Sequence, residues 1–507
     1  MLAGPKSGSP APQAATRQPA GSTIETIRSP GEVGRRDVRR RPSQKIVVAV
    51  VYVCGMLMNS LDSTIVNVAL ATLSREFGVS PADIEMVVIA YLVSLAIFIP
   101  ASGWLGDRFG TKRILLLALT IFTGASLLCG LAQSLDQLVA FRVLQGAGGG
   151  LLTPVGMAML YRTFPPEERV AVSRILMFAI ILGPACGPVL GGLLIEQLSW
   201  RWAFYVNIPV GVAALIFGLL FLHEHKEPNA GRFDVLGFVL AAFGFGLVTY
   251  ALTEGPAHGW TDPGIVLPGF AGAVILIAFV GWELRAAEPM VQLRLLANRL
   301  FRSTLLTSLF GTMAFIGTLF LVPLYLQEAR GASPLTAGLA TFPEAIGVLA
   351  STQVVARVYP RIGPRRLMTF GLSWVALAIT LIGFAGTEAN LWVFRGLMFM
   401  MGTGMACVFL PNQAASMATI SRAQTGRATT FTSVQRQLGA AFGVAILSSV
   451  LAAVGTTEIA ASGMELPNVT AYQAAFFVAA SLAVIGALFA LKVPDEDAAA
   501  TMRLRRA

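Results

Sequence analysis

Long apolar runs broken by short polar stretches fill the chain from residue 46 onward. A helix needs roughly twenty apolar residues to cross the hydrocarbon core of a bilayer. The runs predict such helices at roughly 46–70, 84–104, 114–133, 137–161, 170–195, 203–222, 235–254, 265–284, 303–327, 335–358, 366–386, 390–418, 426–453 and 471–492. Lipid admits only helices or closed barrels, because every backbone polar group must be satisfied internally. Barrel strands read as alternating segments of about ten residues, and these runs are far longer. The pattern predicts an all-α membrane protein with fourteen spans and both chain ends on one side. The first 45 residues are rich in Pro, Gly, Ser, Ala and Arg and hold no apolar core of the kind a secretory signal needs. They are expected to form a disordered cytoplasmic tail.

Composition agrees with this reading. Of the 507 residues 55% are hydrophobic and only 13% charged, about half the charged share of a soluble domain. The net charge of +10 does not point to nucleic acid once its placement is considered. Arg and Lys recur at the N-terminal tail and after every second predicted helix, whereas the opposite loops carry only Arg75, Arg201 and Arg330. Basic loops stay cytoplasmic, so both termini are expected in the cytoplasm of a multi-pass protein of the cytoplasmic (inner) membrane. Cys54, Cys129, Cys186 and Cys407 all lie inside apolar runs without metal-ligand spacing, which predicts buried thiols rather than disulfides.

The chain repeats itself. Gly110-Thr111-Lys112-Arg113 before helix 3 corresponds to Gly363-Pro364-Arg365-Arg366 before helix 11, an offset of 253 residues. Ala140-Phe141-Arg142 corresponds to Val393-Phe394-Arg395 at the same offset. Two parallel six-helix repeats resemble the architecture of major facilitator transporters, which hold substrate between the halves near the midplane. The expected organisation is a tail at 1–45, a six-helix bundle at 46–222, a linker with two extra spans at 223–302, a second six-helix bundle at 303–492 and a cytoplasmic tail at 493–507.

The loop after helix 2 reads Gly103-Trp104-Leu105-Gly106-Asp107-Arg108-Phe109-Gly110-Thr111-Lys112-Arg113. Glycines permit a tight turn, an acid can face the positive end of a neighbouring helix, and the basic residues hold the loop in the cytoplasm. This resembles the signature loop of the major facilitator superfamily, which implies a gating role for Gly103, Gly106, Asp107, Arg108, Gly110 and Arg113. Helix 4 carries Arg142-Val143-Leu144-Gln145-Gly146 and then three glycines. It resembles the helix-4 motif in which a buried Arg takes part in proton transfer. Helix 5 carries Gly183-Pro184-Ala185-Cys186-Gly187-Pro188. It resembles the antiporter motif, implying that Gly183, Pro184, Gly187 and Pro188 serve the alternation between access states. Leu61-Asp62-Ser63-Thr64-Ile65-Val66-Asn67-Val68-Ala69-Leu70 and Trp200-Arg201-Trp202-Ala203-Phe204-Tyr205-Val206-Asn207-Ile208-Pro209 resemble the fourteen-helix drug:proton antiporter branch. The resemblance runs from helix 1 to helix 14. Ala71 departs from it, since that branch usually has Pro there.

One acid stands out independently of any family. Asp62 falls mid-membrane in helix 1, where an aspartate costs about 3 kcal/mol on the mild insertion scale. Such a group faces the bundle interior and usually works. Arg142 falls at comparable depth in helix 4, so the two are expected to interact, either as a proton-coupling pair or as a structural ion pair. Glu344 in helix 10 is the second intramembrane acid. It is read as lining a cavity for cationic substrates or carrying a second proton, or else as a partner of Arg395 or Arg436. Arg436, Gln145 and Asn67 complete the expected substrate cavity. His223-Glu224-His225 reads as a solvated linker rather than a metal site. No phosphate-binding loop of the Gly-Lys-Ser/Thr type occurs and no nucleophile–base set is visible, so neither ATP-driven transport nor enzymatic activity is expected. The expectation is a cofactor-free antiporter that exchanges protons for lipophilic small molecules, cations among them. Export of a single endogenous metabolite is the alternative. Protons, the small-molecule substrate and membrane lipids are the expected partners, with no nucleic acid.

Overall fold

The computed structural model describes residues 43–502, apart from residues 80, 228–230, 388, 456 and 460–464; side chains at 71, 81, 82, 171, 174–182, 184, 185, 188, 189, 256, 257, 334, 457–459, 465 and 466 are also outside the description. The segment read as a disordered tail therefore lies almost wholly outside the described residues.

Thirteen helices among the described residues are long and apolar enough to cross a membrane. A further 29-residue helix, Arg169–Gln197, occupies the place of the fifth expected span. The fourteen are α1 Gln44–Phe77, α2 Pro81–Phe109, α3 Thr111–Leu131, α4 Leu135–Thr163 and α5 Arg169–Gln197. They continue with α6 Trp202–Phe221, α7 Val235–His258, α8 Pro263–Arg285, α9 Arg299–Glu328 and α10 Leu335–Ile362. The last four are α11 Pro364–Phe384, α12 Leu391–Ala415, α13 Thr425–Val454 and α14 Val469–Ala490. Several starts are capped in the usual way. Ser134, Asp234, Asp262 and Asn298 each accept a hydrogen bond from a first-turn backbone N–H, satisfying donors that the helix cannot satisfy itself. The α13–α14 connection adds a feature that the hydrophobic pattern did not predict. Strands β1 Thr457–Ile459 and β2 Glu465–Pro467 pair antiparallel there.

Helices α1–α6 pack among themselves and so do α9–α14. Of the thirteen, the most interior is α4, with 89% of its apolar window buried, while α8 has only 17%. A row of glycines permits the first figure. A Cβ on Gly146 would lie 2.5 Å from the Tyr91 carbonyl oxygen of α2, and one on Gly148 would lie 2.7 Å from the Phe122 nitrogen of α3. Small residues thus let α4 sit between two backbones, as in tightly packed membrane helices generally. The two sets of helices meet where α2 and α4 pack on α13 and where α5 packs on α10 and α12. The extra pair lies alongside: α7 and α8 pack on each other, and α7 also touches α2 and α13.

The stretch after α14, expected as a tail, packs back onto the bundle. Val493, Ala498 and Thr501 are buried. Arg299 donates to both Asp497 carboxylate oxygens at 2.8 and 3.1 Å. Asp495 accepts the Arg365 backbone N–H at 2.9 Å, and the Thr501 and Tyr359 hydroxyls meet at 2.6 Å. This strap ends in the helical turn Ala499–Met502.

Candidate functional site

Two constellations gather the residues singled out by sequence. The first surrounds Asp62, whose side chain is fully buried. Arg142 Nη1 donates to one carboxylate oxygen at 2.6 Å. Gln145 Nε2 donates to the other at 2.7 Å, and Asn207 Nδ2 donates to that same oxygen at 3.1 Å. Two of the donors are themselves held. Arg142 Nε donates to the Val87 carbonyl at 3.1 Å, and Nη1 also donates to Gln145 Oε1 at 2.6 Å. The guanidinium lies 4.1 Å from the centre of the Tyr91 ring, a cation–π geometry, and the Tyr91 hydroxyl donates to Asn59. Gln145 Nε2 donates to Ser126 Oγ at 2.7 Å, and Ser126 donates to the Phe122 carbonyl at 2.8 Å.

The arrangement solves a physical problem. An ion pair removed from water loses several kcal/mol of solvation per ion unless further hydrogen bonds occupy its remaining lone pairs and protons. Here three helices supply them: α4 brings Arg142 and Gln145, α6 brings Asn207, and α2 brings the Val87 carbonyl and the Tyr91 ring. Both carboxylate oxygens face N–H donors, so the geometry is that of a carboxylate rather than a carboxylic acid. Gln145, expected along the substrate cavity, lies inside this cluster instead. Tyr91, Ser126 and Asn207 escaped sequence reasoning. Asn207 belonged to the Trp200–Pro209 run quoted for its resemblance, but nothing in spacing ties α6 to Asp62.

The second constellation is the α2–α3 turn. Asp107 accepts from Arg162 Nη2 at 2.7 Å, and both side chains are about nineteen-twentieths buried. Its carboxylate faces Gly426 in the first turn of α13, where a Cβ would lie 2.8 Å from one oxygen. The carboxylate therefore meets a guanidinium and the positive end of a helix together. Gly103 permits the same approach one turn earlier, since its Cβ would lie 2.6 Å from Thr430 Oγ1 and 2.9 Å from the Gly426 carbonyl oxygen. Gly110 has φ +106°, in the region that favours glycine, and its Cα faces the Glu224 carboxylate. Glu224 accepts the backbone N–H groups of Lys112 and Arg113 at 2.9 and 3.2 Å and pairs with Arg113 Nε at 3.7 Å. The His-Glu-His stretch thus ties the loop before α7 to the start of α3. Gly106 packs ordinarily against Val155, and Arg108 is exposed. Further bonds close this end of the bundle: Tyr161 donates to the Gln413 carbonyl at 2.7 Å, and Ser102 and Thr430 hydroxyls lie 3.2 Å apart.

The remaining predicted residues lie elsewhere. Gly183 and Gly187 face Ser60 and Thr64 at the α1–α5 contact. The side chains of Pro184 and Pro188 fall outside the described residues. Glu344 is 8% exposed and, among the described residues, has neither a hydrogen bond nor an ion pair. Arg395 lies instead 4.4 Å from the Trp392 ring centre, so the structure does not join it to Glu344. Arg436 is half-buried, and Asn67 is exposed on α1; neither joins the Asp62 cluster.

A bundle of fourteen apolar helices with a desolvated charge network inside one half, and a buried Asp107–Arg162 pair of that half set against the start of α13 in the other, defines a polytopic membrane transporter. Comparison with known proteins places it further. The chain matches the Major Facilitator Superfamily over residues 52–342 and 304–504, and it belongs to that family. It is 33% identical over 408 residues to a multidrug resistance protein B homolog of Mycobacterium tuberculosis, covering 80% of this chain and 75% of that protein. It is likewise 33% identical over 463 residues to the putative multidrug resistance protein MdtD of Klebsiella pneumoniae, covering 89% and 95% of the two chains. Its fold is similar to that of the proton:xylose symporter XylE, with TM-score 0.63, 17% identity and coverage of 90% and 97%. It is also similar to that of the human organic anion transporter MFSD10, with TM-score 0.60, 17% identity and coverage of 89% and 100%. The protein is a multi-pass membrane transporter and not an enzyme.

Proposed function

We propose that this transporter exports lipophilic, including cationic, small molecules across the cytoplasmic membrane in exchange for protons, with both termini in the cytoplasm. The observation that carries the reading is the Asp62 carboxylate, sealed from water and held by Arg142, Gln145 and Asn207. Protonation of Asp62 cancels the charge that holds Arg142 and turns an acceptor into a donor facing two amides. The donors must then turn away, which couples proton occupancy to movement of α4 and α6 against α1. The Asp107–Arg162 latch would close the cytoplasmic side in the conformation described, and the six-helix bundles 46–222 and 303–492 would rock about the substrate path. Glu344, Arg436 and Asn67 are assigned to that path, with the unpaired carboxylate of Glu344 attracting cations. Efflux of several drugs rather than one metabolite is favoured by the names of the two bacterial relatives. The membrane potential supplies about 2.3 kcal/mol per charge per 100 mV, ample to concentrate a compound outside.

Inside-out vesicles given a pH gradient provide the test. Uptake of several chemically unrelated dyes is expected, and Asp62→Asn should abolish it while leaving insertion unchanged, because Asn imitates the protonated acid. Proton-driven uptake by Asp62→Asn at the wild-type rate would end the coupling role, and uptake of one compound alone would end the multidrug reading.

A further inference from the structure

The extra helix pair α7–α8 takes no part in either constellation. At the end where α7 begins and α8 finishes, a cavity of about 330 Å³ lies between them, lined by Arg232, Phe233, Asp234, Trp282, Arg285 and Glu288 among others. Its carboxylates are fixed. Asp234 accepts Trp282 Nε1 at 2.9 and 3.0 Å and the Gly237 backbone N–H at 2.8 Å, while Glu288 accepts the backbone N–H of Arg232. Its guanidinium groups are not: neither Arg232 nor Arg285 has a side-chain partner among the described residues. The surroundings are those of a membrane boundary. Trp282 is 39% exposed, and the apolar side chains of Val235, Leu236 and Leu284 beside it are exposed too. Tryptophan and arginine are the usual interfacial pair.

We propose that this cavity is a binding site for the headgroup of a zwitterionic phospholipid of the phosphatidylethanolamine type. Arg232 and Arg285 would take the phosphate, Glu288 and Asp234 the primary ammonium, and the apolar strip of Val235, Leu236 and Leu284 the first carbons of the acyl chains. Charge balance decides the class. Two cations alone would suit an anionic headgroup, but two carboxylates fixed in the same cavity repel a second negative group and match an ammonium. The volume holds about ten water-sized groups at ~30 Å³ each, room for a phosphate and an ammonium joined by two carbons. A free phosphate would leave both the acids and the apolar strip unused.

Native mass spectrometry of the purified full chain tests this, after delipidation and exposure to vesicles of phosphatidylethanolamine, phosphatidylcholine or phosphatidylglycerol. The expected result is one retained phosphatidylethanolamine, held more tightly than phosphatidylcholine, whose quaternary nitrogen has no N–H to donate. Replacing both arginines (Arg232→Ala with Arg285→Ala) should weaken retention about 30-fold, roughly five-fold per guanidinium. Glu288→Gln should bring the first two lipids closer together while the phosphate is still held. Equal retention of all three lipids, stronger retention of phosphatidylglycerol, displacement by inorganic phosphate alone, or unchanged retention by the double variant would each overturn the proposal. Wild-type thermal stability of the double variant shows that its loss of lipid is not a loss of fold.

Discussion

Gly103→Ala should open the α2–α3 end of the bundle. The added Cβ would sit 2.6 Å from Thr430 Oγ1 and 2.9 Å from the Gly426 carbonyl oxygen. Carbon atoms in real structures do not approach that closely. Thr430 has little freedom to turn aside, because its hydroxyl donates to the Gly426 carbonyl at 3.0 Å and meets Ser102 at 3.2 Å. The Gly426 oxygen is backbone at the start of a helix and can move only with α13. Overpacking of this kind costs about 1–3 kcal/mol. The penalty applies only while α2 and α13 touch, so it falls on one access state and spares the other. As a bias on a two-state equilibrium it amounts to about 5- to 150-fold. Spin labels on the exposed positions Glu167 and Ala423, one in each half, report the change as growth of a longer-distance population. Gly106→Ala is the control: its Cβ would meet Val155 at 3.6 Å, an ordinary contact, and the distribution should stay as in the wild type. Identical distributions for Gly103→Ala and wild type, or an equal shift for Gly106→Ala, would refute the reasoning.

Arg142→Lys keeps the charge but loses the planar fork that reaches Asp62, Gln145 and the Val87 carbonyl together. Hydrogen bonds to charged groups contribute about 1.5–3 kcal/mol each, so proton-driven dye uptake should fall at least ten-fold; a rate within two-fold of wild type, ~0.4 kcal/mol, would show that the fork is dispensable. At the other end of the chain, the Arg299 guanidinium, by hydrogen bonding and then by its charge, holds the Asp497 carboxyl below its ordinary 3.8. A carboxyl lowered in the folded state stabilises above its unfolded value, and that contribution is lost as pH falls through the folded one. Asp497→Asn should therefore lower the thermal midpoint slightly at neutral pH, the pair being exposed, and the difference from wild type should vanish only below about pH 3.8. A difference that persists in stronger acid would assign the effect to packing.

The spans were legible because lipid leaves one answer to a run of twenty apolar residues, and the six-plus-two-plus-six register followed from a repeat at fixed offset. The latch was half legible. Asp107 and the glycines stood out, but Arg162 reads in sequence as one more basic loop residue, since only the fold brings the end of α4 beneath α2. The Asp62–Arg142 pair followed from matched depth in two helices. Its outer ring did not. Asn207, Ser126 and Tyr91 are ordinary polar or aromatic residues whose meaning lies in helix rotation, and hydropathy carries no rotational information for helices of low amphipathicity such as α4. The strap after α14 was missed for a similar reason: its buried groups are single small residues, Ala498 and Thr501, too sparse to register as an apolar face.

Among the described residues, every side chain that donates to the Asp62 carboxylate belongs to the first six helices. On the proposed mechanism the power stroke is thus confined to one half of the molecule, and the opposite half, which brings Glu344 and Arg436 to the substrate path, takes no part in it. Mutations accumulating in α9–α14 can then retune what is carried without disturbing how the work is fuelled, a division of labour that favours rapid diversification of cargo over an unchanging engine.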